Sequence, residues 1–251
     1  MSDLVIINLI LFIFGTCVGS FVNVVIDRIP NNSFFSSQRS HCDSCHKELR
    51  WYDLIPLVSY IFLNGKCRYC KEKIIIRMPL VELLTGIGFV SIFALYSGDL
   101  YVFPILLVIF SLFVAIFFID AEQLIIPDIL LVILSVVVII FHTLTQNNLL
   151  HFIASALGAS LFFLLLFVVT KGKGMGFGDV KFAGVIGLLL GFPNTVIALY
   201  SSFLIGAIVS LALIVTKRKK LKGSIISFGP FMILGVLVAI LTGDFILKLF
   251  F

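Results

Sequence analysis

Four cysteines and a handful of carboxylates stand where their neighbours make chemistry the first question. Cys42-Asp-Ser-Cys45 and Cys67-Arg-Tyr-Cys70 form two C-x2-C pairs separated by 21 residues. Each pair can wrap a tight turn around one ion, and four thiolates close a tetrahedral zinc shell with no position left for substrate or water. The metal expected at Cys42, Cys45, Cys67 and Cys70 is therefore a structural Zn2+, and its removal should unfold a segment that has little core of its own. Two disulfides are the alternative, but basic flanks place the segment in a reducing compartment. Cys17, alone in an apolar run, reads as a packing residue, and His41 and His46 read as solvated neighbours of the first pair.

The carboxylates are conspicuous because a charge at the bilayer centre costs about 2.5–3.5 kcal/mol on insertion scales. Asp120 ends the apolar run 103–119, Asp128 follows Ile125-Ile126-Pro127, and Asp179 lies in Gly176-Phe177-Gly178-Asp179-Val180-Lys181. Asp128, beside a proline at a helix start, reads as a cap or a solvated end. Glu82 reads as an interfacial side chain paired with Arg77 or snorkelled to water. Asp120 and Asp179 remain as a candidate pair. Two carboxylates about 3 Å apart cannot both ionise comfortably, so one keeps a proton and polarises a peptide carbonyl while the other activates water. That is aspartic protease chemistry, and the glycines beside Asp179 leave room for backbone and substrate. The Gly174-Met-Gly-Phe-Gly178 stretch lacks the full spacing of a phosphate-binding loop and follows no strand, which argues against nucleotide.

The elements that must position these groups are membrane helices. The 251 residues are 61% hydrophobic and 12% charged, with mean hydropathy +1.20, whereas soluble domains average about 45–50% apolar and about 25% charged. At about 20 residues per span, apolar runs predict eight helices near 4–27, 78–96, 101–119, 128–145, 151–170, 182–192, 194–216 and 228–250. Basic residues are confined to 28–77, 171–181 and 217–222, apart from Lys248. The loops at 97–100, 146–150 and 191–194 contain none, so the bias puts both termini outside and the segments around Asp120 and Asp179 at the cytoplasmic face. The first helix follows Ser2 and Asp3 rather than a basic stretch and reads as a retained span. No repeat of 20–50 residues is evident. The chain thus reads as an all-α integral membrane protein: a first transmembrane helix at 1–27, a cytoplasmic four-cysteine zinc module at 28–77 and a seven-helix core at 78–251. Its net charge of +5 reports topology rather than nucleic acid.

These pieces together resemble a known family, the type IV prepilin peptidases, which act as leader peptidase and N-methyltransferase. The resemblance rests on Gly19-Ser20-Phe21-Val22-Asn23-Val24 running on to Arg28-Ile29-Pro30, the paired cysteines, and Arg77-Met78-Pro79-Leu80-Val81-Glu82-Leu83-Leu84. It continues through Ile119-Asp120, Ile126-Pro127-Asp128, the Gly176 to Lys181 motif and Phe228-Gly229-Pro230-Phe231. It implies that Asp120 and Asp179 are the catalytic pair, with Asp128 an accompanying residue. It implies as substrate a prepilin or pilin-like precursor of type IV pilus, type II secretion or competence systems, cut after the glycine that precedes the mature N-terminus. It further implies methylation of the new amine from S-adenosylmethionine, in a multi-pass protein of the bacterial cytoplasmic membrane. A proton- or cation-coupled transporter with a zinc-bearing regulatory loop is the competing class. A relay would spread acids across the bilayer, whereas these cluster at one face.

Overall fold

The computed structural model describes residues 2–31, 40–42, 44–96, 98–172, 174–216 and 227–250, with side chains in the last helix described to 243. The basic run 217–222 lies outside the described residues. Among the described residues there are nine α-helices, a 3-10 turn and two isolated antiparallel bridges, which bears out the all-helical expectation. The helices are α1 (Ser2–Arg28), α2 (Val58–Phe62), α3 (Arg77–Leu95), α4 (Phe103–Gln123), α5 (Asp128–Leu144), α6 (Leu149–Val169), α7 (Phe177–Leu190), α8 (Asn194–Val215) and α9 (Gly229–Phe250). Five of them are long and apolar enough to cross a membrane: α1, α3, α4, α6 and α8. The chain divides into two compact units, Met1–Ala115 and Ile116–Phe251.

In the first unit α1 and α3 pack with their backbones nearly touching. Gly15 and Gly19 sit one turn apart on the same face of α1; a Cβ on Gly15 would fall 2.8 Å from the Gly86 Cα, and one on Gly19 would fall 2.7 Å from the Glu82 Cα. With lipid outside as apolar as the interior, close approach of small residues is what lets membrane helices gain packing energy. Phe89, Phe103 and Leu107 are buried beside this seam, with Leu11, Val18 and Phe110 against them. Cys17, read as a packing residue, instead faces outward and is exposed. Between α1 and α3 the segment is more structured than a polar loop: Trp51–Leu54 forms the 3-10 turn and α2 follows it.

In the second unit α7 is the central strut. It touches α5, α6, α8 and α9, and eight of its 14 residues are buried. At about 1.5 Å per residue it spans only about 21 Å, short of a hydrocarbon core of about 30 Å. Gly187 lets α6 close on it, since a Cβ would stand 2.7 Å from the Ser155 carbonyl. At its far end buried His142 of α5 donates from Nε2 to the Leu188 carbonyl at 2.9 Å and accepts at Nδ1 from Asn147. The expected helix at 182–192 begins five residues earlier, at Phe177. One glycine there, Gly178, costs about 1 kcal/mol in a helix, and burial of Asp179 and Val180 in the same turn offsets it. The expected helix at 101–119 likewise runs on to Gln123, so Asp120 lies inside its last turn.

Candidate active site

Asp120 closes α4 and Asp179 opens α7, and both are buried, at 4% and 7% exposure. A carboxylate so placed needs donors, and each obtains one from the start of a helix, where amide groups have no intrahelical acceptor. The Gly229 N–H, first in α9, donates to Asp120 Oδ2 at 2.8 Å. The Gly176 N–H, just ahead of α7, donates to Asp179 Oδ2 at 2.9 Å, closing the turn that contains the acid itself. The two carboxylates lie close enough to influence one another electrostatically. Residues 59 positions apart in sequence are thus brought to one end of the unit, where the end of α4 and the beginnings of α7 and α9 converge.

The glycines do different work from what their spacing implied. A Cβ on Gly176 would make ordinary contact with Asp179 Oδ2 at 3.6 Å, and one on Gly178 would touch Ile126 at 3.3 Å. The tight position is Gly229, whose Cβ would stand 2.6 Å from Asp120 Oδ2. Sequence reasoning gave Gly229 no role; the available signal was a Gly-Pro pair opening an apolar run, which marks a helix start whose amide is free to donate.

Asp128 is the first residue of α5, as a helix-start acid should be, and it also holds Lys181 through both oxygens, at 2.7 and 2.8 Å. This ties α5 to α7 two residues beyond Asp179. Both side chains are substantially exposed, so the bridge is an interfacial tie and not a buried charge. Glu82 departs from expectation. It is buried and accepts the Leu57 N–H at 2.8 Å with help from Ser20, while Arg77 pairs with Asp27 at 2.7 Å.

The four cysteine sulfurs all lie within 4.8 Å of one another, and Cys42 Sγ and Cys70 Sγ are 3.8 Å apart. Zinc–sulfur bonds of about 2.3 Å imply tetrahedral edges of about 3.8 Å, so the set fits a zinc ion. All five cysteines are free thiols. The two pairs form matching knuckles offset by 25 residues. The His46 N–H bonds the Cys42 carbonyl and the Lys71 N–H the Cys67 carbonyl, at 2.8 and 3.1 Å, and each donor residue takes a positive φ, 55° and 62°. Bridges His41 to Glu48 and Lys66 to Lys73 close the two turns in the same way. In residue identity the repeat shows only as the two C-x2-C pairs, because the other knuckle positions share backbone geometry and not side chains. The Cys70 backbone N–H draws the Cys67 thiol down to about 7, against the opposing effect of its burial, while burial and the neighbouring thiols push Cys70 up to about 12, so the crowded sulfurs do not ionise alike. His41 and His46 are exposed beside the cluster, as expected of solvated neighbours.

Fold and site together define a multi-pass helical membrane protein in which a buried aspartate pair and a four-thiolate cluster occupy separate compact units. Residues 13–96 match the model of the bacterial peptidase A24 N-terminal domain, and residues 107–211 match that of the type IV leader peptidase family. Relatives named prepilin leader peptidase/N-methyltransferase include proteins of Bacillus subtilis, 33% identical, and Aeromonas salmonicida, 31% identical. The alignments cover 96% of both chains for the first, and 95% of this chain and 92% of the relative for the second. A third, from Pseudomonas aeruginosa, is 30% identical over 92% of this chain and 88% of its own. No solved structure matches the chain. The chain belongs to the type IV leader peptidase family, whose members are proteins of the cytoplasmic membrane.

Proposed function

We propose that the protein cleaves the leader from prepilins or pilin-like precursors at the cytoplasmic face of the membrane, with Asp120 and Asp179 as its catalytic pair. The observation that carries this reading is the burial of both acids, each held through Oδ2 by a glycine N–H. That arrangement leaves Oδ1 of each for water or substrate. With one proton shared between them, the ionised aspartate takes a proton from water as the oxygen attacks the scissile carbonyl carbon. The protonated aspartate donates to the carbonyl oxygen, and the tetrahedral species collapses by breaking the C–N bond as the amine gains a proton. Burial excludes bulk water from this exchange.

Eight spans with both termini outside supply the required orientation, α5, α7 and α9 being counted with α1, α3, α4, α6 and α8. The short α7 then serves as a strut that carries Asp179 without needing to reach both membrane surfaces. The zinc held by Cys42, Cys45, Cys67 and Cys70 is structural, its coordination being complete without substrate. Methyl transfer to the new amine is the second half of the reading and draws its support from the relatives' printed names. S-adenosylmethionine would supply the methyl group; the described residues contain no strand-to-helix glycine loop of the kind that cradles a nucleoside, and none is assigned to hold it. The transporter reading finds no support in a match to a peptidase family.

The test is mass spectrometry of a pilin-like precursor co-expressed with the protein. The reading expects one cut after the glycine preceding the mature N-terminus and a single added methyl group. An uncut precursor in the presence of correctly inserted protein would refute it, and a cut precursor lacking the methyl group would remove its second half alone.

A further inference from the structure

The segment between α1 and α3 carries an apolar surface that a water-facing loop has no reason to expose. Within residues 51–62, Trp51, Leu54, Ile55, Val58, Ile61 and Phe62 are all exposed, with Trp51 at 77% and Phe62 at 80%. Scattered exposed hydrophobics are normal, but six within twelve residues are a concentration that asks for a cover. Its depth can be read from one hydrogen bond. Leu57 donates its N–H to Glu82, the sixth residue of α3. Five residues at 1.5 Å each put the Glu82 Cα about 7 to 8 Å inside the start of the helix. The 19 residues of α3 reach about 28 Å, which leaves no length to spare against a hydrocarbon core of about 30 Å. Because a helical side chain leans toward the N-terminus, the Glu82 carboxylate lies nearer the start than its Cα, which puts Leu57 at the boundary of the span and not in the water above it.

We infer that residues 51–62, the 3-10 turn and α2, lie in the membrane interface with their apolar side chains in the lipid, and that the surface they rest on is anionic. Charge agrees with depth: between positions 47 and 73 there are six lysines and arginines against three acids, and such clusters are drawn to anionic headgroups. A tryptophan at the edge of an apolar patch is at home at the headgroup boundary. Arg68 reinforces the arrangement, since it bonds Asp53 at 2.7 Å and lies over the Tyr52 ring, joining the second cysteine knuckle to the turn. The cysteine cluster would then be pinned to the bilayer surface rather than suspended above it. Glu82, buried in a membrane helix, gains its reason: it accepts the backbone N–H of Leu57, whose φ of 58° takes it out of regular structure.

Trp51 is the only tryptophan in the protein, so the unmodified full chain reports on its own patch. It is reconstituted in nanodiscs of phosphatidylcholine with phosphatidylglycerol whose acyl chains are brominated near the headgroup end. The inference expects blue-shifted emission, strong quenching relative to unbrominated discs and little quenching by aqueous acrylamide. An Ile61→Ser, Phe62→Ser variant should lose much of the bromine quenching while keeping its bound zinc. Emission typical of water with full acrylamide access would overturn the inference. So would protection from acrylamide without any bromine effect, which would mean that protein covers the patch.

Discussion

Replacing Gly229 by alanine should damage catalysis while sparing the fold, and the size of the effect follows from one distance. The added Cβ would stand 2.6 Å from Asp120 Oδ2 and 3.2 Å from its Cγ. A carbon and an oxygen in close contact settle at about 3.3–3.6 Å, so the carboxylate must retreat by about 0.7 Å or more. That movement stretches the 2.8 Å bond from the Gly229 N–H to the limit of hydrogen bonding, and a bond to a charged group contributes about 1.5–3 kcal/mol. A misplacement near 1 Å costs about 10²-fold in rate; the expected loss in kcat is about 10- to 100-fold with KM little changed. Backbone strain offers no competing explanation, because Gly229 has no positive φ and alanine in a helix is favoured by about 0.5–1 kcal/mol. Gly176→Ala is the internal control: its Cβ would meet Asp179 Oδ2 at an ordinary 3.6 Å, so activity should stay within a few-fold. The assay is leader removal in vesicles, followed by the mobility shift of the precursor at several substrate concentrations. Wild-type turnover by the Gly229 variant, or equal damage from both substitutions, would refute the reasoning.

The other predictions concern the metal, the helix seams and the outer ion pair. Purified protein should hold about one zinc per chain, by the stoichiometry of a four-thiolate site. Affinity should fall as pH falls, because protons compete with metal for the four thiolates; binding unchanged by acid would count against the site. Gly19→Val should lower the thermal midpoint by the equivalent of about 1–3 kcal/mol, since its Cβ meets the α3 backbone. Gly158→Ala, with nothing within 4 Å, should leave the midpoint unchanged or raise it, and the opposite order of the two would reject the seam. A double-mutant cycle on Asp128→Asn and Lys181→Met should give a coupling below about 1 kcal/mol, as for exposed pairs; a larger value would make that bridge part of the folded core.

What could be read without coordinates was chemistry that violates its surroundings. Asp120 and Asp179 were legible because lipid penalises acids, and the cysteines because their spacing matches one metal's geometry. Their partners were not, since a backbone amide has no letter of its own: nothing in Gly229 or Gly176 as residues says where an N–H points. Glu82 misled for the same reason, as Arg77 was the visible cation while the actual donor was the peptide of Leu57. The start of α7 was misplaced because glycine propensity is local and burial is not. The seam of Gly15 and Gly19 was present in the sequence as two glycines four apart in an apolar helix, and its meaning depended on which helix faced it.

The central claim is that both buried aspartates are required for one hydrolytic step. Asp120→Asn and Asp179→Asn each keep the shape and an acceptor oxygen for the glycine amide but remove the titratable proton, so the measurement is leader removal by each variant, correctly inserted and zinc-loaded. The account predicts at least about a 10²- to 10⁴-fold loss for either, the worth of a positioned acid or base. Near wild-type processing by either variant would contradict it.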